Sequence, residues 1–178
     1  MKLCRKTIIL LIFSSFMSVG WGQDCDNEEE IEIDSIEEIC NLTDLTEIDL
    51  SSNGLTGEIP SCIGNLTNLT CLDLGSNELT GEIPSEIGNL TNLDYLNLGD
   101  NQLTGEIPSE IGNLTNLIFL GLSENQLNGE IPESICGLTN LNWSSSGIWY
   151  SDSYIYNNQL CSPYPECFLN QEPFTDVN

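Results

Sequence analysis

Four consecutive units of 24 residues, Leu45–Asn68, Leu69–Asn92, Leu93–Asn116 and Leu117–Asn140, follow one another without an insertion. The segment LTGEIPSEIGNLTNL recurs letter for letter at Leu79–Leu93 and Leu103–Leu117. A fixed period of this length restricts the chain to stacked coils, each unit being one supersecondary element repeated along an axis. In the first unit the seven aliphatic columns are Leu45, Ile48, Leu50, Leu55, Ile59, Ile63 and Leu66. Ile48 and Leu50 alternate with strand period, Asn53 and Leu55 mark a turn, and Pro60 and Gly64 bracket a stretch too short for a regular α-helix. Burying seven aliphatics contributes about 10–20 kcal/mol per unit. Ordering the backbone costs more, at about 1–2 kcal/mol for each residue. One unit therefore cannot hold itself together, and stability has to come from apolar faces and hydrogen bonds shared between neighbours. The column Asn53, Asn77, Asn101 and Asn125 is expected to serve that stacking, because an inward turn needs side-chain partners for its backbone groups.

Charge narrows the function. The chain has 28 acidic residues, three basic ones and no histidine, for a net charge of −25. The basic residues, Lys2, Arg5 and Lys6, precede the apolar run Thr7–Val19, and the small residues Gly20 and Gly22 follow. This pattern reads as a secretory signal peptide over residues 1–22, too short to span a bilayer comfortably. Cleavage after Gly22 would leave every carboxylate on a chain with no cation. Such a chain cannot neutralise phosphates, which excludes nucleic acid as a partner and disfavours anionic membrane surfaces. It also lacks the histidine base, lysine Schiff base and arginine clamp of most enzyme mechanisms. Carboxylate-only chemistry such as glycoside hydrolysis survives on paper. The expectation is a released protein without catalysis or cofactor, since no second apolar stretch follows.

The pattern LxxLxLxxNxLTGEIPxxIGNLTN, from Ile36 to about Cys167, resembles the plant-type class of extracellular leucine-rich repeats. That class includes receptor ectodomains and polygalacturonase-inhibiting proteins, and similar repeats occur in secreted bacterial proteins. The resemblance implies an α/β-class right-handed solenoid, or horseshoe, that is mostly β in content. Parallel strands would line the concave face, 3₁₀ and irregular segments the convex side, and LTGEIP a second short sheet along one flank. It also implies binding rather than catalysis. The organisation is then a signal peptide (1–22), an N-terminal cap and half repeat (23–44), four repeats (45–140), and a C-terminal cap and tail (141–178). The register breaks after Leu141 and returns at Tyr154–Leu160, after nine inserted residues.

Seven cysteines follow the signal segment. Cys25–Cys40 is the expected bridge of the N-terminal cap. The tail Asn158–Cys167 resembles the NxxLCGxPLPxC ending of plant-type repeats, which implies Cys161–Cys167; Cys136 with either of these is the rival pairing. Cys71 falls on the concave strands and Cys62 on the outer side, so a bridge between them would have to cross the repeat. The odd count leaves a thiol free or bonded to another chain; otherwise a monomer is expected. With no histidine and no CxxC, no metal site of the zinc type is expected.

The exposed concave columns are Glu47, Cys71, Tyr95 and Phe119, then Asp49, Asp73, Asn97 and Gly121, then Ser51, Gly75, Gly99 and Ser123. The face runs from acidic to aromatic and small. Either Tyr95 and Phe119 anchor a ligand, or they only cover neighbouring strands. The candidate binding residues are Glu47, Asp49, Asp73, Tyr95, Asn97 and Phe119, facing a protein or polysaccharide partner. A second row, Glu58, Glu82, Glu106 and Glu130, would stack at about 5 Å. It is either a solvated flank or the basis of a calcium-dependent structural or adhesive surface protein. Thr56, Thr80 and Thr104, with the Asn and Thr rows of the GNLTN segments, form periodic arrays that make ice binding conceivable; Asn128 and Gly137 interrupt them. Trp143, Trp149 and Tyr150 either stack on sugars or roof the last repeat.

Overall fold

The computed structural model of the chain describes residues 35–141 and 153–169. The signal segment, Cys25 and the aromatic group Trp143, Trp149 and Tyr150 lie outside the described residues. Each repeat contributes one three-residue concave strand: β1 (Glu47–Asp49), β3 (Cys71–Asp73), β5 (Tyr95–Asn97) and β6 (Phe119–Gly121). They form one parallel sheet in the order β1-β3-β5-β6, paired column on column as the period requires. Ile48, Leu72, Leu96 and Leu120 point inward and are fully buried. A single apolar core runs from Ile36 to Leu160.

After each strand the chain turns through a residue in the left-handed region, at Ser52, Ser76, Asp100 and Glu124. The next residue is the repeated asparagine, and its amide ties adjacent coils together. Asn77 Oδ1 accepts from the N–H of Asn53 and of Leu55, both at 3.0 Å. Its Nδ2 donates to the carbonyls of Leu50, Leu74 and Gly75. Asn101 and Asn125 repeat the arrangement, and Asn158 does so in the C-terminal cap. The cap also continues the concave sheet: Tyr154 bridges Gly121, and Leu122 donates to the Tyr154 carbonyl at 2.8 Å.

The flank carries a second set of parallel strands, β2 (Thr56–Glu58) with β4 (Glu78–Thr80), and β7 (Asn128–Glu130) with β8 (Gln159–Cys161). This sheet is staggered. Thr56 pairs with Glu78 and Glu58 with Thr80, two residues short of the repeat period. Glu82 likewise meets Thr104. The expected glutamate row therefore does not pair acid with acid: Thr80 stands opposite Glu58, Thr104 opposite Glu82 and Cys161 opposite Glu130. The glutamate stems lie instead across the next glycine: a Cβ on Gly81 or Gly105 would come within 2.8 Å of Glu58 or Glu82 Cγ. Both glycines also have φ of +76°, where any other residue is strained.

The convex side consists of 3₁₀ turns, Ser61–Asn65, Ser85–Asn89, Ser109–Asn113 and Glu133–Gly137, each entered through a proline in extended conformation. These turns pack so closely that a Cβ on Gly64 would lie 2.8 Å from Glu86 Cβ and one on Gly88 2.6 Å from Glu110 Cβ. The same offset explains the disulfides. Cys40 occupies the column of Gly64, and Cys62 that of Glu86, so the close approach that elsewhere forbids a side chain here forms Cys40–Cys62, with Cα atoms 5.6 Å apart. Cys136 occupies the same glycine column at the far end and bonds Cys167, also at 5.6 Å. The two bridges span 22 and 31 residues, differing by the inserted nine. These replace the expected Cys25–Cys40 and Cys161–Cys167 pairs, and the rival Cys136–Cys167 is the bond that forms. Cys71 and Cys161 are free thiols. The described parts of both caps, with Ile36 and Ile39 at one end and Ile155 and Leu160 at the other, bury apolar surface against the outermost repeats.

Candidate functional site

The concave sheet brings the six candidate residues onto one face in two adjacent columns. Glu47, Cys71, Tyr95 and Phe119 are paired in register, as are Asp49, Asp73, Asn97 and Gly121. Their side chains are linked rather than independent. Asp73 Oδ1 accepts from Asn97 Nδ2 at 3.0 Å and from the Gly75 N–H at 2.9 Å. Asp73 Oδ2 accepts from the Tyr95 hydroxyl at 3.3 Å. Asn97 Oδ1 in turn accepts from the Gly99 N–H. Gly75 makes this possible, since a Cβ there would stand 2.5 Å from Asn97 Nδ2. Asp49 bonds only within its own strand end, to Ser51 N and Oγ, and with Glu47 remains exposed.

Aromatic rings form the other half of the face. Tyr95 and Phe119 stack with centroids 4.3 Å apart and planes 7° from parallel. Tyr154 meets Phe119 edge-on at 5.4 Å, and Tyr156 follows at 5.8 Å. This cluster corrects one expectation: Phe119 is only 4 % exposed, roofed by the two tyrosines rather than open to a ligand. Gly121 leaves it room, because a Cβ would lie 3.2 Å from the ring and 2.6 Å from Asn97 Oδ1. The accessible aromatics are thus Tyr95, Tyr154 and Tyr156, each half-buried. Sequence reasoning placed Tyr154 and Tyr156 in the cap and missed their part in this face. It also missed Ile118, which is 54 % exposed immediately before Phe119. Its signal was present: the same column holds Thr46, Thr70 and Asp94 in the earlier repeats.

The electrostatics follow from burial without counter-charge. Burial raises the pKa of Asp73 above the usual carboxylate value, against the bonds from Gly75 and Asn97 that lower it. The Cys71 thiol is pushed up to about 11 by burial and by Asp73, Glu47 and Asp49 around it. Tyr95 and Tyr154 are also raised, chiefly by burial. Among the described residues no three carboxylates or thiols converge on a point that could hold a metal ion. Several members of the polar arrays outside this face bond within the solenoid. Thr80 and Thr104 hydroxyls donate to the carbonyls of Gly57 and Gly81. The amides of Asn68, Asn92, Asn116 and Asn140 donate to threonine carbonyls of the preceding coil.

Two family models of the leucine-rich repeat match, one over residues 41–103 and the other over 116–138. These are leucine-rich repeats, and they resemble those of plant receptor ectodomains. No curated protein matches the chain significantly. Among solved structures, the Arabidopsis thaliana receptor-kinase ectodomain GASSHO1/SCHENGEN3, in complex with CASPARIAN STRIP INTEGRITY FACTOR 2, is 41 % identical with a TM-score of 0.63. The match covers 70 % of this chain and 14 % of that one. The Arabidopsis HAESA ectodomain, in complex with an IDA peptide hormone, is 32 % identical with a TM-score of 0.65, covering 76 % and 21 %. A plant ice-binding protein is 33 % identical with a TM-score of 0.61, covering 76 % and 41 %. The chain thus spans only 14 % and 21 % of these two receptor ectodomains. No helix among the described residues of this leucine-rich-repeat chain is long and apolar enough to cross a membrane.

Proposed function

We propose that the chain is a non-catalytic extracellular binding module that takes a protein or glycan partner across its concave sheet. The observation that carries this reading is the joined face itself: half-exposed Tyr95, Tyr154 and Tyr156 beside the fixed Asp73–Asn97 pair, with Ile118 exposed at the same end. Rigid rings and prearranged acceptors lose little conformational freedom when a partner docks, which is the composition of an interface anchor. The receptor ectodomains in complex with peptide ligands support a protein or peptide partner by analogy. The calcium-dependent alternative is the less favoured reading, because the staggered flank sets threonine opposite Glu58 and Glu82 and no three carboxylates converge among the described residues.

The test is a selection of peptides from a random display library on the intact chain. Binding of the selected peptides should fall at least about tenfold for Ile118→Asp, as expected for an interface anchor. Because the position is exposed, the melting temperature should stay unchanged. Tyr95→Leu, which keeps an apolar cover over Phe119, should weaken the same peptides. Peptides indifferent to both substitutions would refute the assignment of this face.

A further inference from the structure

The acidic and aromatic halves of the concave face meet at Cys71. Phe119 covers one face of the Tyr95 ring. The stack runs along the sheet, and the residue paired with Tyr95 on its other side is Cys71, whose side chain is too short to cover a ring. Among the described residues no ring is therefore set against the second face of Tyr95, on the side of the thiol. Asp73 stands beside it, within reach of the Tyr95 hydroxyl at 3.3 Å. Glu47 and Asp49 lie on the next strand, and all three carboxylates are near enough to perturb the Cys71 thiol. The only basic residues in the sequence are Lys2, Arg5 and Lys6, so nothing within the repeats neutralises these acids.

We propose that this junction is a subsite for a guanidinium group, an arginine side chain of the partner, lying flat on Tyr95 beside Cys71 and donating to Asp73 and its neighbours. The inference rests on the concave-face reading and names the chemistry of one contact within it. A planar cation suits the geometry better than a compact one. It stacks on the ring, and its five donors can reach acceptors that are spread over adjacent strands. Asp73 Oδ1 already accepts two hydrogen bonds, which favours a donor that approaches Oδ2 and shares its charge among several carboxylates. A metal ion would need the oxygens to converge, and they do not.

The probe is N-acetyl-arginine amide, titrated into the isotope-labelled chain while the amide signals of Cys71, Asp73 and Tyr95 are followed, with the lysine and glutamine analogues alongside. The expected result is saturable shifts confined to these strands for the arginine compound, weaker ones for lysine and none for glutamine. Asp73→Asn should weaken the arginine compound about tenfold, as for loss of a charged hydrogen-bond partner. Tyr95→Leu should weaken it about threefold, as for loss of an exposed cation–π contact. Non-saturating shifts spread over the acidic surface, or no shift at Cys71, would overturn the subsite. In that event peptides still sensitive to Ile118→Asp leave the concave-face reading standing, whereas insensitive peptides remove both.

Discussion

Replacing Asn77 by alanine tests whether the inward amides hold the coils together. Five hydrogen bonds pass through this side chain, which is 9 % exposed. Two of the three carbonyls it serves keep other partners: Leu74 O accepts from Asn101 Nδ2, and Gly75 O from Ser52 N–H. The loss therefore falls on the Leu50 carbonyl and on the N–H groups of Leu55, buried, and Asn53, half-buried. An orphaned buried group costs about 1–3 kcal/mol, so together they should cost at least about 2–4 kcal/mol. With about 2.1 cal/mol/K of unfolding entropy per residue over roughly 150 residues, the melting temperature should fall by about 6–12 °C. Asn77→Asp is the informative companion. It keeps the acceptor for both N–H groups but turns a carboxylate oxygen toward the carbonyls of Leu50, Leu74 and Gly75, so it should also lose stability. Urea unfolding gives the magnitude, and hydrogen exchange at Leu55 gives the site. An Asn77→Ala variant melting within about 2 °C of the parent, with Leu55 still protected, would refute the role of the amide column.

Removing Cys40–Cys62 by serine substitution at both positions should cost about 3 kcal/mol, the loop-closure value for a bridge spanning 22 residues, read as a lower urea midpoint. Gly105→Ala should lose at least about 1–2 kcal/mol, since it places a Cβ at φ +76° and 2.8 Å from Glu82 Cγ. Gly137→Ala, with nothing within 4 Å of the added carbon, should be neutral or gain about 0.4–1 kcal/mol by the same melt. Asp73 has a raised folded pKa, so in the window between 3.8 and that folded value the native state holds its proton more tightly than the unfolded state. Its contribution is favourable at low pH and is lost as pH rises through that window. Asp73→Asn should therefore become more stable relative to the parent on going from pH below 3.8 to neutral, and urea midpoints that move the other way would contradict the burial argument.

Most of the solenoid was legible in the residues because its concave sheet stacks at the repeat period itself. Ile48 and Leu50 alternate with their flanking polar residues, so the strand, its buried face and the pairing of Asp73 with Asn97 all follow from counting in units of 24. The amide column was legible for a related reason: one asparagine per coil, next to a turn, has few uses other than satisfying backbone groups. Phe119 was misjudged because exposure depends on what arrives from elsewhere. Tyr154 comes from beyond a nine-residue insertion, and no local pattern states that its ring will close over Phe119.

The sequence by itself determined the number of coils, the strand that lines each one, the residues facing inward and a surface with no cation of its own in the repeats. Only the tertiary structure decided the stagger of the flank and convex side, and with it the two disulfides and the separation of the glutamates. The physical reason lies in strand parity. A shift of one residue would turn every side chain to the wrong face, so periodicity excludes it; a shift of two preserves the inward and outward pattern and leaves no trace in the sequence. Packing of whole coils against one another fixes that choice, setting Glu58 against Thr80 and Gly81, and bringing Cys40 to Cys62.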